Sequence, residues 1–365
     1  MGISKNYPSE RKSGIIKQRK AKGREKEMQY GIFDYQNREN RLTELGDHLE
    51  VLNKAIPWEM FRPTLESAIK RETRRTKGGR PAYDSVLMFK ILVLQSIYNL
   101  SDDQIEYQIN DRISFMRFLG LGLGNKVPDA KTIWNFRNRL VESKAADKLF
   151  ADFNRFLEKE NMFVKKGSII DASFVEVPRQ QNTPGEKADI KNGKTPEEWE
   201  KPENKHKLSQ KDTDARFAKK RDEYHFGYKD HISVDAGSKL IQDYLVTPAN
   251  VPDYQIFPHL LDENEIEVWA DSGYCLKPCF EAIPENCTAH ILEKSTRGHK
   301  LTEAQRISNT EKSKVRVRVE HVFGHINTAM KGFFQRCIGL ESVKIKIALI
   351  NLAYNMERYE FLVRA

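Results

Sequence analysis

Ser168-Ile-Ile-Asp-Ala-Ser-Phe-Val-Glu-Val177 is the stretch whose reading decides the fold. Ile169, Ile170, Phe174, Val175 and Val177 are strand formers, and the segment is apolar on both faces. Such a strand is buried inside a sheet. Asp171 in its middle is therefore costly, because an ionised acid in an apolar setting must find a partner or lose its charge. Two escapes are open: a basic residue paired with it, or a divalent cation shared with other carboxylates.

Working outward, 266–271 (Ile-Glu-Val-Trp-Ala-Asp) repeats the oddity. Asp271 closes an apolar strand just before Gly273, at the strand end where open α/β sheets place their chemistry. A third acid, Glu320, lies in 314–331, where Val315, Val319, Val322, Ile326, Ala329 and Phe333 recur at helical spacing as a buried stripe. At about 100° per residue, Arg316, Glu320, Gly324, Asn327 and Lys331 gather on a separate polar stripe. A mid-helix glycine costs about 1 kcal/mol, so Gly324 points to close approach by another body.

The remaining strands read as 224–235, then a turn at Ala236-Gly237, then 240–247, giving a hairpin, with a last strand at 289–292. Helices are expected at 253–261 and over most of the C-terminal part. The order predicts a mixed α/β domain in which an antiparallel ribbon lies beside parallel strands. Segment 178–223 is almost without apolar residues and long for a loop. It reads as a polar insertion without a packed core, lying near a polyanion path.

Ahead of this domain, 41–145 is helical. Residues 84–99 are apolar around most of a helix, and Ser101-Asp-Asp-Gln104 is a capping box. Residues 129–140 make a basic helix with Lys131, Arg137 and Arg139 expected on its surface. Short helices, a Gly/Pro turn and a basic last helix fit either a helix-turn-helix or an ordinary bundle. Phe115, Met116, Phe118 and Leu119 crowd one segment, as a dimer surface or as core. Residues 1–40 read as a flexible basic arm, and 70–80 as a second basic, glycine-bearing linker.

The chain of 365 residues carries 61 basic against 52 acidic residues, net +9, which suits a polyanion partner. The longest apolar run, 86–98, falls short of the roughly 20 residues that span a bilayer. The first residues lack the apolar run of a signal peptide, and a cytoplasmic protein is expected. Four cysteines make no disulfide framework, and Cys275, Cys279 and Cys287 read as buried thiols rather than a zinc site.

Five motifs occur in order: Ile169-Ile-Asp-Ala-Ser173, 226–235 (Phe-Gly-Tyr-Lys-Asp-His-Ile-Ser-Val-Asp), 247–253 (Thr-Pro-Ala-Asn-Val-Pro-Asp), 269–274 (Trp-Ala-Asp-Ser-Gly-Tyr) and 319–324 (Val-Glu-His-Val-Phe-Gly). Together they resemble the DDE transposases of bacterial insertion sequences, in the group founded on insertion sequence five. Arg80-Pro81 and the helices after it are similar to that family's N-terminal DNA-binding region. The resemblance implies an RNase-H-like catalytic domain over 146–365, with Asp171 on the first strand, Asp271 after the fourth and Glu320 on a late helix. It implies that these three are catalytic and hold two Mg²⁺ ions, Mn²⁺ substituting, since hard oxygen donors select hard cations. It further implies DNA as partner, contacted by Arg80, Lys131, Arg137, Arg139, Lys229, Arg316, Asn327 and Lys331, and a homodimer on paired ends. The wider superfamily's helix reads Tyr-x2-Arg-x3-Glu-x6-Lys; here Ser313 stands at the Tyr position and Asn327 at the Lys position.

Overall fold

The computed structural model describes residues 31, 33–69, 82–296 and 298–364. The basic segment 5–26 and the linker 70–80, Arg80 included, lie outside the described residues.

Eight helices precede the first strand among the described residues: α1 (Asp34–Glu44), α2 (His48–Ala55), α3 (Arg62–Ile69), α4 (Ser85–Tyr98), α5 (Asp102–Asp111), α6 (Ile113–Leu119), α7 (Ala130–Glu142) and α8 (Ala145–Lys159). α4 starts where the Asp84 carboxylate accepts from the Val86 and Leu87 N–H groups, and stops at Asn99 in the left-handed conformation. It is buried on nearly every side, as its all-round apolar sequence requires. The Ser101/Gln104 capping box opens α5. α1 corrects the expectation that the arm runs structureless to residue 40. Its helix has no buried residue, hence no apolar periodicity to read, and Arg117 fastens it by donating to the Glu39 carbonyl and Thr43 Oγ1. Phe115, Met116, Phe118 and Leu119 are buried within the chain, so they belong to the core and not to a dimer surface. The link from α6 to α7 is 120–129, longer than the roughly three- to four-residue turn of a helix-turn-helix.

β1 (Ser168–Glu176) lies at the centre of the sheet. On one side it pairs antiparallel with β3 (Glu223–Asp235), and beyond β3 lies antiparallel β4 (Ile241–Pro248). On the other side it pairs parallel with β5 (Glu267–Ala270), which pairs parallel with β6 (Thr288–Ile291). Without the short β2 (Arg216–Lys220), which pairs only with the start of β3, the order β4-β3-β1-β5-β6 is an RNase-H-like mixed sheet flanked by helices. Gly167, at φ +116°, lets β1 enter against β5; a Cβ there would stand 2.4 Å from the Glu267 carbonyl oxygen.

Two cores sandwich this sheet. One is continuous from the N-terminal helices through Ile169, Val175, Ile232 and Val234 to α14 (Glu303–Thr328) and α15 (Leu340–Arg364). The other gathers Ile170, Val268 and Ala270 with Phe257, Tyr274 and Cys279 around α12 (Asp253–Ile256) and α13 (Lys277–Ala282). Cys279 is buried, while Cys275 and Cys287 are only half-buried. On α15 the buried Asn355 amide accepts from the Ile241 N–H and donates to its carbonyl, both at 2.8 Å. That pair satisfies backbone groups at the start of β4.

Segment 178–223 has a packed centre after all. Three short helices, α9 (Pro184–Lys191), α10 (Glu197–Glu200) and α11 (Lys205–Gln210), fold with Trp199 fully buried. The Trp199 indole donates to Glu186 at 2.6 Å, and the Lys211 ammonium lies 5.4 Å from its ring centre. One large aromatic substitutes for an apolar stripe, so periodicity alone could not show it. No helix among the described residues is long and apolar enough to cross a membrane.

Asp230 on β3 is fully buried, and among the described residues its side chain accepts only from the Asn351 side-chain amide, at one oxygen and 3.3 Å. Burial pushes this carboxyl up to about 8. The unfolded chain ionises it near the ordinary 3.8, so stability falls as pH rises from there through about 8. Asp230→Asn should therefore melt above the wild type at pH 8, with the advantage shrinking toward pH 4. Equal melting temperatures at pH 8 would contradict a neutral Asp230.

Candidate active site

Asp171 sits mid-way along β1, opposite Ile232 of β3, and its face of the strand turns toward α14. The strand pairs on both edges, so the carboxylate has little water and only what neighbouring elements bring. It accepts one hydrogen bond from the Ala172 N–H at 2.8 Å and one from the Arg316 guanidinium at 3.0 Å. Of the two escapes open to a buried acid, the chain by itself takes the basic partner. Burial nonetheless pushes the carboxyl up to about 6; the Asp271 charge adds to this, while the Ala172 N–H, Arg316 and Lys220 oppose it.

Arg316 lies one turn before Glu320 on α14, and its other terminal nitrogen donates to the Glu320 carboxylate. Half of the Glu320 side chain is in solvent, at 51% exposure, against 18% for Asp171. The guanidinium thus links an inner and an outer carboxylate across the gap between sheet and helix. Its Nε–H is buried and has no hydrogen-bond partner among the described residues.

Asp271 ends β5 and caps the short turn 272–274, accepting from the Gly273 N–H at 2.7 Å. The parallel pairing of β1 with β5 carries it to the Asp171 side of the sheet, close enough for its charge to act on Asp171. Beneath them lies Tyr274, fully buried, its hydroxyl without a partner and its ionisation suppressed by burial and by Asp171, Asp253 and Asp271. Asp253 joins this surround and holds Lys229 at 2.7 Å. Tyr274, Asp253 and Lys220 were missed as site residues. The first two stand inside quoted motifs, but nothing in their spacing shows which way they point.

The structure places Asp271 beside Asp171 across the β1–β5 pairing, and Arg316 links Asp171 to Glu320. Among the described residues no three His, Cys, Asp or Glu side chains are already grouped as a metal would require. The donor set, carboxylate oxygens throughout, is of the kind a hard divalent ion takes. Arg316 is the positive charge that now stands between two of them.

Alongside runs a cleft of about 650 Å³ lined by Ala172, Ser173, Phe174, Lys220, Gly324, Asn327 and Lys331. Phe174 and His225 stack in it, 4.1 Å between ring centres. Asn327 is exposed on α14, whereas Ala329 and Lys331 lie past the helix end. Lys331 adopts φ 52°, and the Asn99 side chain donates to its carbonyl. Gly324, Asn327 and Lys331 of the polar stripe read from sequence therefore line this cleft, together with the acids Glu176 and Glu223, whereas Arg316 and Glu320 do not.

Two expected DNA contacts are corrected. Arg137 turns inward and donates to both carboxylate oxygens of Asp102, with 12% of its side chain exposed. Lys229 is buried, donating to Asp253 and to the Val251 carbonyl. Both charges are taken up by internal partners that lie far off in sequence. Lys131 is exposed and Arg139 half-buried on α7.

Fold and site together set two acids at adjacent central strands of a mixed sheet, with a guanidinium and a third acid one turn apart on α14. The family model described as "Transposase DDE domain" matches residues 163–356, and that described as "Transposase domain (DUF772)" matches 36–139. The chain belongs to the DDE transposase family. Among solved structures it is similar to the piggyBac transposase in a cryo-EM synaptic complex with hairpin DNA, at TM-score 0.41 and 10% identity, covering 84% of this chain and 74% of that one.

At Gly324 an added Cβ would meet nothing within 4 Å. The protein itself therefore does not need a glycine there. Gly324→Ala should stabilise the free protein by about 1 kcal/mol, seen as a raised melting temperature, and weaken DNA binding by filling the cleft wall. Unchanged DNA affinity would show that no ligand comes close at this position.

Proposed function

We propose that this chain is a transposase of the insertion-sequence-five group that binds the ends of its element, cuts them and joins the freed 3′-OH ends to target DNA. The observation that supports the reading is Asp171 on the central strand, with the Asp271 charge acting on it from the end of β5 and Arg316 of α14 joining it to Glu320.

In this reading Asp171, Asp271 and Glu320 hold the divalent ions, Mg²⁺ or Mn²⁺, two per site. Bound there, the ions would supply Lewis-acid stabilisation of the attacking and leaving oxygens. Asp171 and Asp271 are fixed by backbone N–H groups and so arrive pre-oriented; Glu320, half in solvent, is the ligand that adjusts. Asn327, Lys331 and the exposed Lys220 neutralise and align the phosphodiester along the cleft. In cleavage a water oxygen bonds to phosphorus and the 3′ oxygen leaves, taking up a proton. In joining, that 3′-hydroxyl oxygen bonds to a target phosphorus and a target 3′ oxygen leaves. Neither step forms a bond to the protein.

The helical part, 41–145, would supply DNA binding and pairing of subunits, through Lys131 and Arg139 with Arg80 and the basic segments beyond the described residues. Two element ends need two sites, most simply in a homodimer of two-fold symmetry. The protein would act in the cytoplasm.

Incubation with Mg²⁺ and DNA carrying the element ends tests the reading on one gel. Nicked and joined products are expected from the wild type, and neither from Asp171→Ala, Asp271→Ala or Glu320→Ala, while each variant still shifts end DNA. Cleavage without joining would make the protein a nuclease of the same fold. Undiminished cutting by any of the three variants would remove that residue from the site.

A further inference from the structure

The site described above contains a feature that metal binding alone does not explain. Arg316 donates one terminal nitrogen to Asp171 and the other to Glu320, so a guanidinium joins the two acids that the proposed function gives to a metal. We propose that Arg316 is a displaceable lock: it holds Asp171 and Glu320 in the metal-free protein, competes with the divalent ion, and is drawn off by a DNA phosphate, so that DNA binding and metal binding reinforce each other. The inference rests on the metal reading of this site.

Three observations carry it. Arg316 and the metal claim the same lone pairs, since a carboxylate oxygen that accepts from a guanidinium is a poorer cation ligand. The bridge is uneven: Glu320 is half in solvent, with room to turn outward, whereas Asp171 is 18% exposed and held by the Ala172 N–H. Arg316 is also incompletely satisfied, for its Nε–H is buried without a partner among the described residues. A guanidinium is made for two-pronged bonding to phosphate, and one more acceptor at that edge would complete it. The cleft lined by Gly324, Asn327 and Lys331, where phosphates would run, opens along the same helix. DNA arriving there offers Arg316 a substitute anion and releases both carboxylates.

Charge alone predicts a different pattern. A fixed positive charge would weaken metal binding whether or not it bridged, so a lysine at 316 would act like arginine. A lock requires the fork, which lysine lacks.

Calorimetric titration of Mn²⁺ into chelator-treated full-length protein separates these cases. Arg316→Gln should bind Mn²⁺ about tenfold or more tightly than wild type, the factor one charged hydrogen bond is worth. Arg316→Lys should also bind more tightly than wild type. A saturating short DNA duplex carrying an element end should tighten Mn²⁺ binding by the wild type and leave Arg316→Gln nearly unchanged, as reciprocal coupling demands. Thermal melts of the metal-free variants confirm that they are folded. Equal or weaker Mn²⁺ binding by Arg316→Gln, or wild-type behaviour of Arg316→Lys, overturns the lock while leaving the metal site in place. Absence of Mn²⁺ binding in all three proteins, with and without DNA, overturns the metal reading as well.

Discussion

A carboxylate in the central strand of a buried sheet needs a positive charge, and much of the arrangement around Asp171 answers that need. Coulomb attraction grows as water is excluded, so a cation brought to Asp171 acts more strongly than one at the surface. α14 supplies one from inside the chain in Arg316, and the approach of Asp271 raises the demand further. Two like charges close together in a poorly hydrated place are tolerable only with a cation of their own. In the proposed function the same imbalance is what would draw a divalent cation to the site.

Sheet topology is the device that concentrates the charges. β1 has antiparallel β3 on one edge and parallel β5 on the other, so the end of β5 is delivered beside the middle of β1. Gly167 allows the close entry, and the core of Ile169, Val175, Val319 and Val322 sets α14 against the same face. Asp171 and Asp271 each accept from a backbone N–H, whereas Glu320 is half in solvent and bonded to Arg316. That division would suit the metal centre of the proposed function.

The strands and the central helices were legible in sequence because burial writes a period into composition. The Asp171 and Asp271 strands, the capping box at Ser101 and the apolar helix 85–98 are all local patterns of that kind. What sequence hid depends on partners far along the chain. Arg137 sits on a basic helix face, yet Asp102 draws it inward; Lys229 lies in a motif, yet Asp253 claims it. α1 has no apolar face, and the 178–223 insertion closes on Trp199 with little more than Ile190 and Ala215 beside it. The candidate site was readable as separate acids in an ordered set of motifs, whereas the Arg316 bridge between two of them required the packing of α14 on the sheet.

The central claim is that Asp171, Asp271 and Glu320 share one divalent-metal centre. Anomalous scattering from crystals of the protein with end DNA and Mn²⁺ tests it most directly. Peaks are expected within about 2.1 to 2.2 Å of oxygens from Asp171 and Asp271, with Glu320 completing the set. Manganese bound elsewhere, or a complex in which the guanidinium of Arg316 still bridges Asp171 and Glu320 with no peak between the carboxylates, would contradict the account.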